Sequence, residues 1–167
     1  RKRMHHVFFA VRFAMQQLGF KIFNEIAWEK PNPPPNLSCR YFTHSTETIL
    51  WAAKNEKSKH LFNYAEMRKV TGKQMKTVWR HPIWTMTSPN KEEKLSGKHP
   101  TQKPVALVER CLLSSTQEGD YVLDPFLGSG TTAIAALKTK RKFAGIELEP
   151  IYLNLAKKRL SSYQTKK

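Results

Sequence analysis

Tyr121-Val-Leu-Asp-Pro-Phe-Leu-Gly-Ser-Gly-Thr-Thr132, followed further along by Gly145-Ile-Glu-Leu148, decides how this chain is read. A short run of strand character meets a proline, an aromatic and two closely spaced glycines, after which two threonines open a helical pattern. The backbone has to turn sharply after Asp124 and pass close to a ligand, and Gly128 and Gly130 permit this because neither carries a Cβ. Thr131 and Thr132 stand where unpaired first-turn amides can receive a polar or anionic group. A second strand ends in Glu147, which lies 147 − 124 = 23 residues beyond Asp124. That is near the ~20-residue separation at which a carboxylate meets ribose hydroxyls in nucleotide-binding α/β units. Two acceptor oxygens suit a vicinal diol, so the stretch predicts an adenosine-cofactor site. A lone Gly-x-Gly would favour an ordinary strand-turn-helix, and Glu147 shifts that balance. The third glycine of a dinucleotide fingerprint is missing, which speaks against NAD or FAD; no Gly-Lys-Ser/Thr follows, which excludes a phosphate-cradling P-loop.

Working outward, Val7, Phe8, Val11, Ala14, Met15 and Leu18 recur at helical steps and predict an amphipathic helix from about His6 to Leu18, closed by Gly19. Phe20 to Trp28 and Thr48 to Ala53 read as strands, separated by the irregular Lys30-Pro-Asn-Pro-Pro-Pro-Asn36, whose prolines supply no backbone donors. Pro104 to Ser114 predicts a helix with proline in the first turn. Beyond it come strand Tyr121 to Asp124, helix Thr131 to Lys140, strand Lys142 to Glu147 and helix Pro150 to Leu160. Such alternation is an α/β layered pattern. Lys54 to Lys98, rich in Lys, Arg, Asn and Thr with Trp79 and Trp84 among them, reads as a surface insert. The expected organisation is therefore 1–54 and 99–167 as parts of one α/β domain, with 55–98 inserted.

The chain has 167 residues, enough for one domain with a real core. Its 29 Lys and Arg against 13 Asp and Glu give a formal charge of +16, which points to a polyanion, nucleic acid ahead of an anionic membrane. Cys39 and Cys111 make neither a disulfide framework nor a paired zinc site, and the six histidines have no metal-gathering spacing. A reducing, cytoplasmic setting and no structural metal are expected. No apolar run is long enough to span a membrane. Arg1-Lys2-Arg3 before an apolar run only imitates a signal peptide, and the opening on Arg1 in a helical pattern suggests a piece of a longer polypeptide.

Asp124-Pro-Phe-Leu-Gly-Ser-Gly-Thr-Thr132 resembles the S-adenosylmethionine motif of amino-group DNA methyltransferases, and Gly145-Ile-Glu-Leu148 resembles their ribose-binding strand. His99-Pro-Thr-Gln-Lys-Pro104 resembles a third element of that family, which lies at the cofactor's methionine end. Its position ahead of the glycine motif is similar to the circularly permuted β group, which contains N6-adenine and N4-cytosine enzymes. Trp28 to Asn36 and Arg40 to Trp51 are similar to its adenine-specific members. The resemblance runs from about His6 to Leu160. It implies a Rossmann-like methyltransferase sheet, S-adenosylmethionine as cofactor and double-stranded DNA as partner. It further implies cofactor contacts from Thr101, Gln102, Lys103, Pro104, Asp124, Pro125, Phe126, Gly128, Ser129, Gly130, Thr131, Thr132, Glu147 and Leu148.

The family's catalytic motif, Asp, Asn or Ser followed by Pro-Pro and an aromatic that stacks on a flipped base, has no match here. Asn32-Pro33-Pro34-Pro35 ends in proline where a ring is needed, and Asp124-Pro125-Phe126 belongs to the cofactor turn, so no catalytic residue is assigned. The sheet is accordingly expected to be incomplete in this chain, its missing part lying in an N-terminal half or a partner subunit; a homodimer stays open. Target recognition is expected in the insert, with Lys73, Lys76 and Arg80 as DNA contacts that supply affinity and little sequence information. His44 and Glu47 are expected to order a loop, and Lys103 either meets the cofactor carboxylate or caps the following helix. The leading expectation is transfer of a methyl group to an exocyclic amine, adenine N6 favoured over cytosine N4. The alternatives are a catalytically inactive DNA-binding or specificity subunit, and an RNA methyltransferase.

Overall fold

The computed structural model describes residues 7–30, 33–80, 95–97 and 99–165. Arg1, Lys2, Arg3, His6, Asn32, Trp84 and Lys98, named above, lie outside the described residues. The contacts divide the chain into two compact units: residues 7–60 with 75–80, and 61–74 with the described residues from 95 to 165.

The first unit begins with α1 (Val7–Gln17). The helix forms where its periodicity predicts, yet it buries none of its residues, and Phe9 and Phe13 are exposed. β1 (Lys21–Glu29) and β2 (Thr46–Ala53) pair antiparallel, with Trp28 opposite Glu47 and an irregularity between Ile22 and Asn24. β1 is central because a two-residue strand, β3 (Val78–Trp79), pairs parallel on its other side, giving the order β2-β1-β3. Ile26, Trp28 and Trp79 are buried. Trp79 thus belongs to a sheet core, a role its charged surroundings in sequence conceal. The β1–β2 loop opens with the ion pair of Lys30 and Glu47 and the bond from Lys30 N to Ser45 O at 2.7 Å. Glu47 therefore anchors the base of that loop.

The second unit holds α2 (Tyr64–Thr71), α3 (Val105–Ser115), β4 (Tyr121–Asp124), α4 (Thr131–Lys138), β5 (Lys142–Gly145) and α5 (Pro150–Gln164). β4 and β5 run parallel with Asp124 opposite Gly145. Alternation along the strands sends Val122 and Phe143 against the helices, where Val105, Leu112, Ile134, Ala135 and Ala136 form the core with Leu160 and Tyr163. Tyr121 and Leu123 point the other way and are 77% and 66% exposed, so one face of this pair is bare among the described residues. β5 stops at Gly145, two residues short of the expected end at Glu147, because the chain there leaves the ladder to enter the turn beside Gly128.

α2 arises inside the stretch read as a surface insert. Met67 is only 2% exposed, and Asn63, just before the helix, donates from Nδ2 to Leu113 O and Thr116 O at 2.8 Å each. These are carbonyls at the end of α3 that have no partner further along their own helix. Arg141 completes the arrangement through Nη2 to Thr116 O at 2.7 Å.

Candidate functional site

Glycine-turn residues and Glu147 meet at the carboxyl ends of β4 and β5, where ligands bind in open α/β sheets. The turn after β4 is closed from within: Asp124 Oδ1 accepts from Phe126 N at 3.0 Å, Ile146 O from Leu127 N at 2.8 Å, and Leu127 O from Gly130 N at 2.9 Å. Gly128 and Gly130 have φ of 54° and 79°, the left-handed region that favours glycine. At Gly130 a Cβ would also meet the Cβ of Ala156 at 3.0 Å and its Cα at 3.2 Å, so α5 packs directly on the turn.

Glu147 does more than wait for a ligand. Its Oε2 accepts from Gly128 N at 2.6 Å and its Oε1 from Glu149 N at 2.9 Å, tying the end of β5 to the glycine turn. These amides, that of Glu149 first and Gly128 second, hold the carboxyl below its ordinary value of 4.5. Each carboxylate oxygen keeps a second acceptor position, so the pair can still take hydroxyl donors. Phe126 and Leu148 flank the turn and are 87% and 88% exposed, offering apolar surface at its rim.

Behind the turn the expected residues divide. Ser129 and Thr131 are buried, and Thr131 Oγ1 donates to Lys103 O at 3.2 Å, which commits it to the protein and ties the 99–104 segment to α4. Pro104 is fully buried at the start of α3, while Thr101 and Lys103 are exposed, Gln102 and Thr132 half-buried and Pro125 exposed. His99, absent from the expected contacts although it opens the quoted motif, accepts from Thr101 N at its Nδ1 at 3.2 Å. Its Nε2 lies 3.6 Å from the position a Cβ on Gly128 would take, and its ring meets Tyr152 edge-on at 4.2 Å between centroids. Arg159 was also missed: from α5 it reaches the turn, donating from Nη1 to Ser129 O at 2.6 Å and Ser129 Oγ at 2.8 Å. Only a helical face shared with Ala156 signals it in sequence.

Of the expected DNA contacts, Lys73 and Lys76 are exposed, whereas Arg80 is ion-paired with Glu29 at 3.0 Å. No helix among the described residues is long and apolar enough to cross a membrane.

A family model described as DNA methylase, of the N6/N4 methyltransferase type, matches residues 2–158. The chain belongs to that family. Type II methyltransferase M2.LlaDCHI of Lactococcus lactis subsp. cremoris is 56% identical over 162 residues, 96% of this chain and 58% of that protein. Type II methyltransferase M2.MboI of Moraxella bovis is 53% identical over 159 residues, 93% of this chain and 55% of that protein. The chain therefore spans a little over half the length of the curated relatives it matches. Among solved structures, the complex of M1.HpyAVI with S-adenosylmethionine superposes with a TM-score of 0.75 at 37% identity, covering 93% of this chain and 70% of that one. The cytosine-N4-specific PvuII DNA methyltransferase, 20% identical with a TM-score of 0.71, shares the fold over 94% of this chain and 61% of its own. The α/β class expected from the alternation, and the methyltransferase fold that the resemblance implies, are thus those of its structural neighbours.

Proposed function

We propose that this chain is the cofactor-holding part of a DNA methyltransferase that moves a methyl group from S-adenosylmethionine to an exocyclic amine, adenine N6 ahead of cytosine N4. The observation that carries it is the Glu147 carboxylate fixed beside Gly128 at the ends of two parallel strands. The M1.HpyAVI complex, with S-adenosylmethionine in its printed title, supports the choice of cofactor. When bound, S-adenosylmethionine supplies an electrophilic methyl on a sulfonium. In this reading Glu147 accepts the ribose hydroxyls, Gly128 lets the backbone approach, and Phe126 and Leu148 flank the adenine. Thr101, Gln102 and Lys103 face the methionine end. What the chain contributes to the reaction is placement of one reactant, the main service such a displacement needs.

The amine must come from a base taken out of the duplex. No Asp, Asn or Ser followed by Pro-Pro and an aromatic stands in this sequence, so the reading assigns that task to polypeptide beyond it. The bare face at Tyr121 and Leu123, together with a relative of which this chain covers only 58%, supports such polypeptide packing over this face of the strand pair. Lys73 and Lys76 are proposed to contact phosphates, and Arg80 to do so only after parting from Glu29. The test is methyl transfer by the complete protein with labelled S-adenosylmethionine, duplex DNA and structured RNA as acceptors, and analysis of the product nucleosides. Label in N6-methyladenine of DNA is expected. Label confined to RNA, or absent from both, would refute it.

A further inference from the structure

Arg159 is 4% exposed, a costly place for a guanidinium, and an apolar side chain of similar volume would fill such a site without the desolvation. Its Nη1 binds the glycine turn at one backbone carbonyl and two hydroxyls. Nη1 donates to Ser129 O at 2.6 Å and to Ser129 Oγ at 2.8 Å, and reaches Thr131 Oγ1 at 3.3 Å. Charge-assisted bonds of this kind are the stronger ones. The Ser129–Gly130 peptide is planar, so holding its carbonyl on Arg159 turns its N–H the opposite way, where Gly130 N meets Leu127 O at 2.9 Å. Ala156, one helical turn before Arg159, fills the space against Gly130 where a Cβ would stand 3.0 Å from its own. The same face of α5 therefore fixes the turn twice, once by packing and once by hydrogen bonds.

We infer that Arg159 is a positioning residue for the cofactor turn: it sets the Ser129–Gly130 peptide and so keeps Gly128 N–H aimed at Glu147 and the turn open to S-adenosylmethionine. This rests on the cofactor reading given above. Its role is indirect, through Ser129, and it touches no reacting atom.

The experiment is calorimetric titration of the full chain with S-adenosylmethionine, comparing the parent with Arg159→Met, Arg159→Lys and Leu112→Ala, alongside amide hydrogen exchange at Gly130. Leu112 lies in the α3 core away from the turn and controls for lost stability. Arg159→Met is expected to weaken binding about tenfold, the size expected for losing a hydrogen bond from a charged donor. Arg159→Lys should recover part of it, and Leu112→Ala should bind as the parent does when folded. Gly130 exchange should quicken in Arg159→Met alone. Parent-like affinity in a folded Arg159→Met, or an equal loss in Leu112→Ala, would overturn the inference. Should the parent fail to bind, the cofactor reading falls, and unchanged Gly130 exchange in Arg159→Met would separately refute the positioning role.

Discussion

Glu147 shows how one carboxylate can serve structure and ligand together. Sequence spacing pointed to it as a diol acceptor, and the fold adds that both of its oxygens are already engaged by Gly128 N and Glu149 N. Its use of these amides was not legible in the sequence, because they approach only after β5 ends early and the chain bends back. Those bonds favour the charged form and depress its folded-state pKa below 4.5. The sign follows: the stabilisation is fully present above the unfolded value and disappears as pH falls through the depressed folded value. Loosening of the turn on acidification is therefore expected below the ordinary carboxylate range, seen as faster exchange of the Gly128 amide. Glu147→Gln should lack that acid step. A variant with the same step would contradict the assignment.

At the scale of elements, periodicity and punctuation located most of the molecule. α1, α3, α4 and α5 lie where apolar spacing predicts them, and β4 and β5 lie on either side of α4. α5 runs on to Gln164 past the expected end at Leu160, and α4 stops at Lys138. α2 escaped notice because Tyr64–Thr71 buries Met67 and otherwise shows charged residues such as Arg68 and Lys69. β3 escaped because two residues carry no alternation, and Trp79 is identified only by its pairing with Trp28. The value of α2 to the fold is testable at Asn63. Asn63→Ala removes both amide bonds to the end of α3; Thr116 O keeps the donor from Arg141, so Leu113 O is the acceptor left without its side-chain partner, at a cost of about 1–3 kcal/mol. Urea unfolding should show a lower midpoint with an unchanged slope. An unchanged midpoint would mean that α2 does not support α3.

Over the whole molecule, the +16 charge and the methyltransferase fold argue for the same partner. If Lys73 and Lys76 each neutralise a phosphate, the double alanine variant should lower the slope of log affinity against log salt by about 2. Anisotropy with a labelled duplex reads this directly; a parent-like slope would remove both lysines from the interface. The sequence revealed the family through three ordered motifs, but it did not reveal how α5 supports the glycine turn, since no local pattern links Arg159 to Ser129, 30 positions apart. The central claim remains that the turn from Asp124 to Thr132, with Glu147, holds a methyl donor. Calorimetric titration of the chain and of Glu147→Ala with S-adenosylmethionine tests it most directly. The account predicts one molecule bound per chain and a clear loss of affinity in the variant; equal affinity in the two would contradict it.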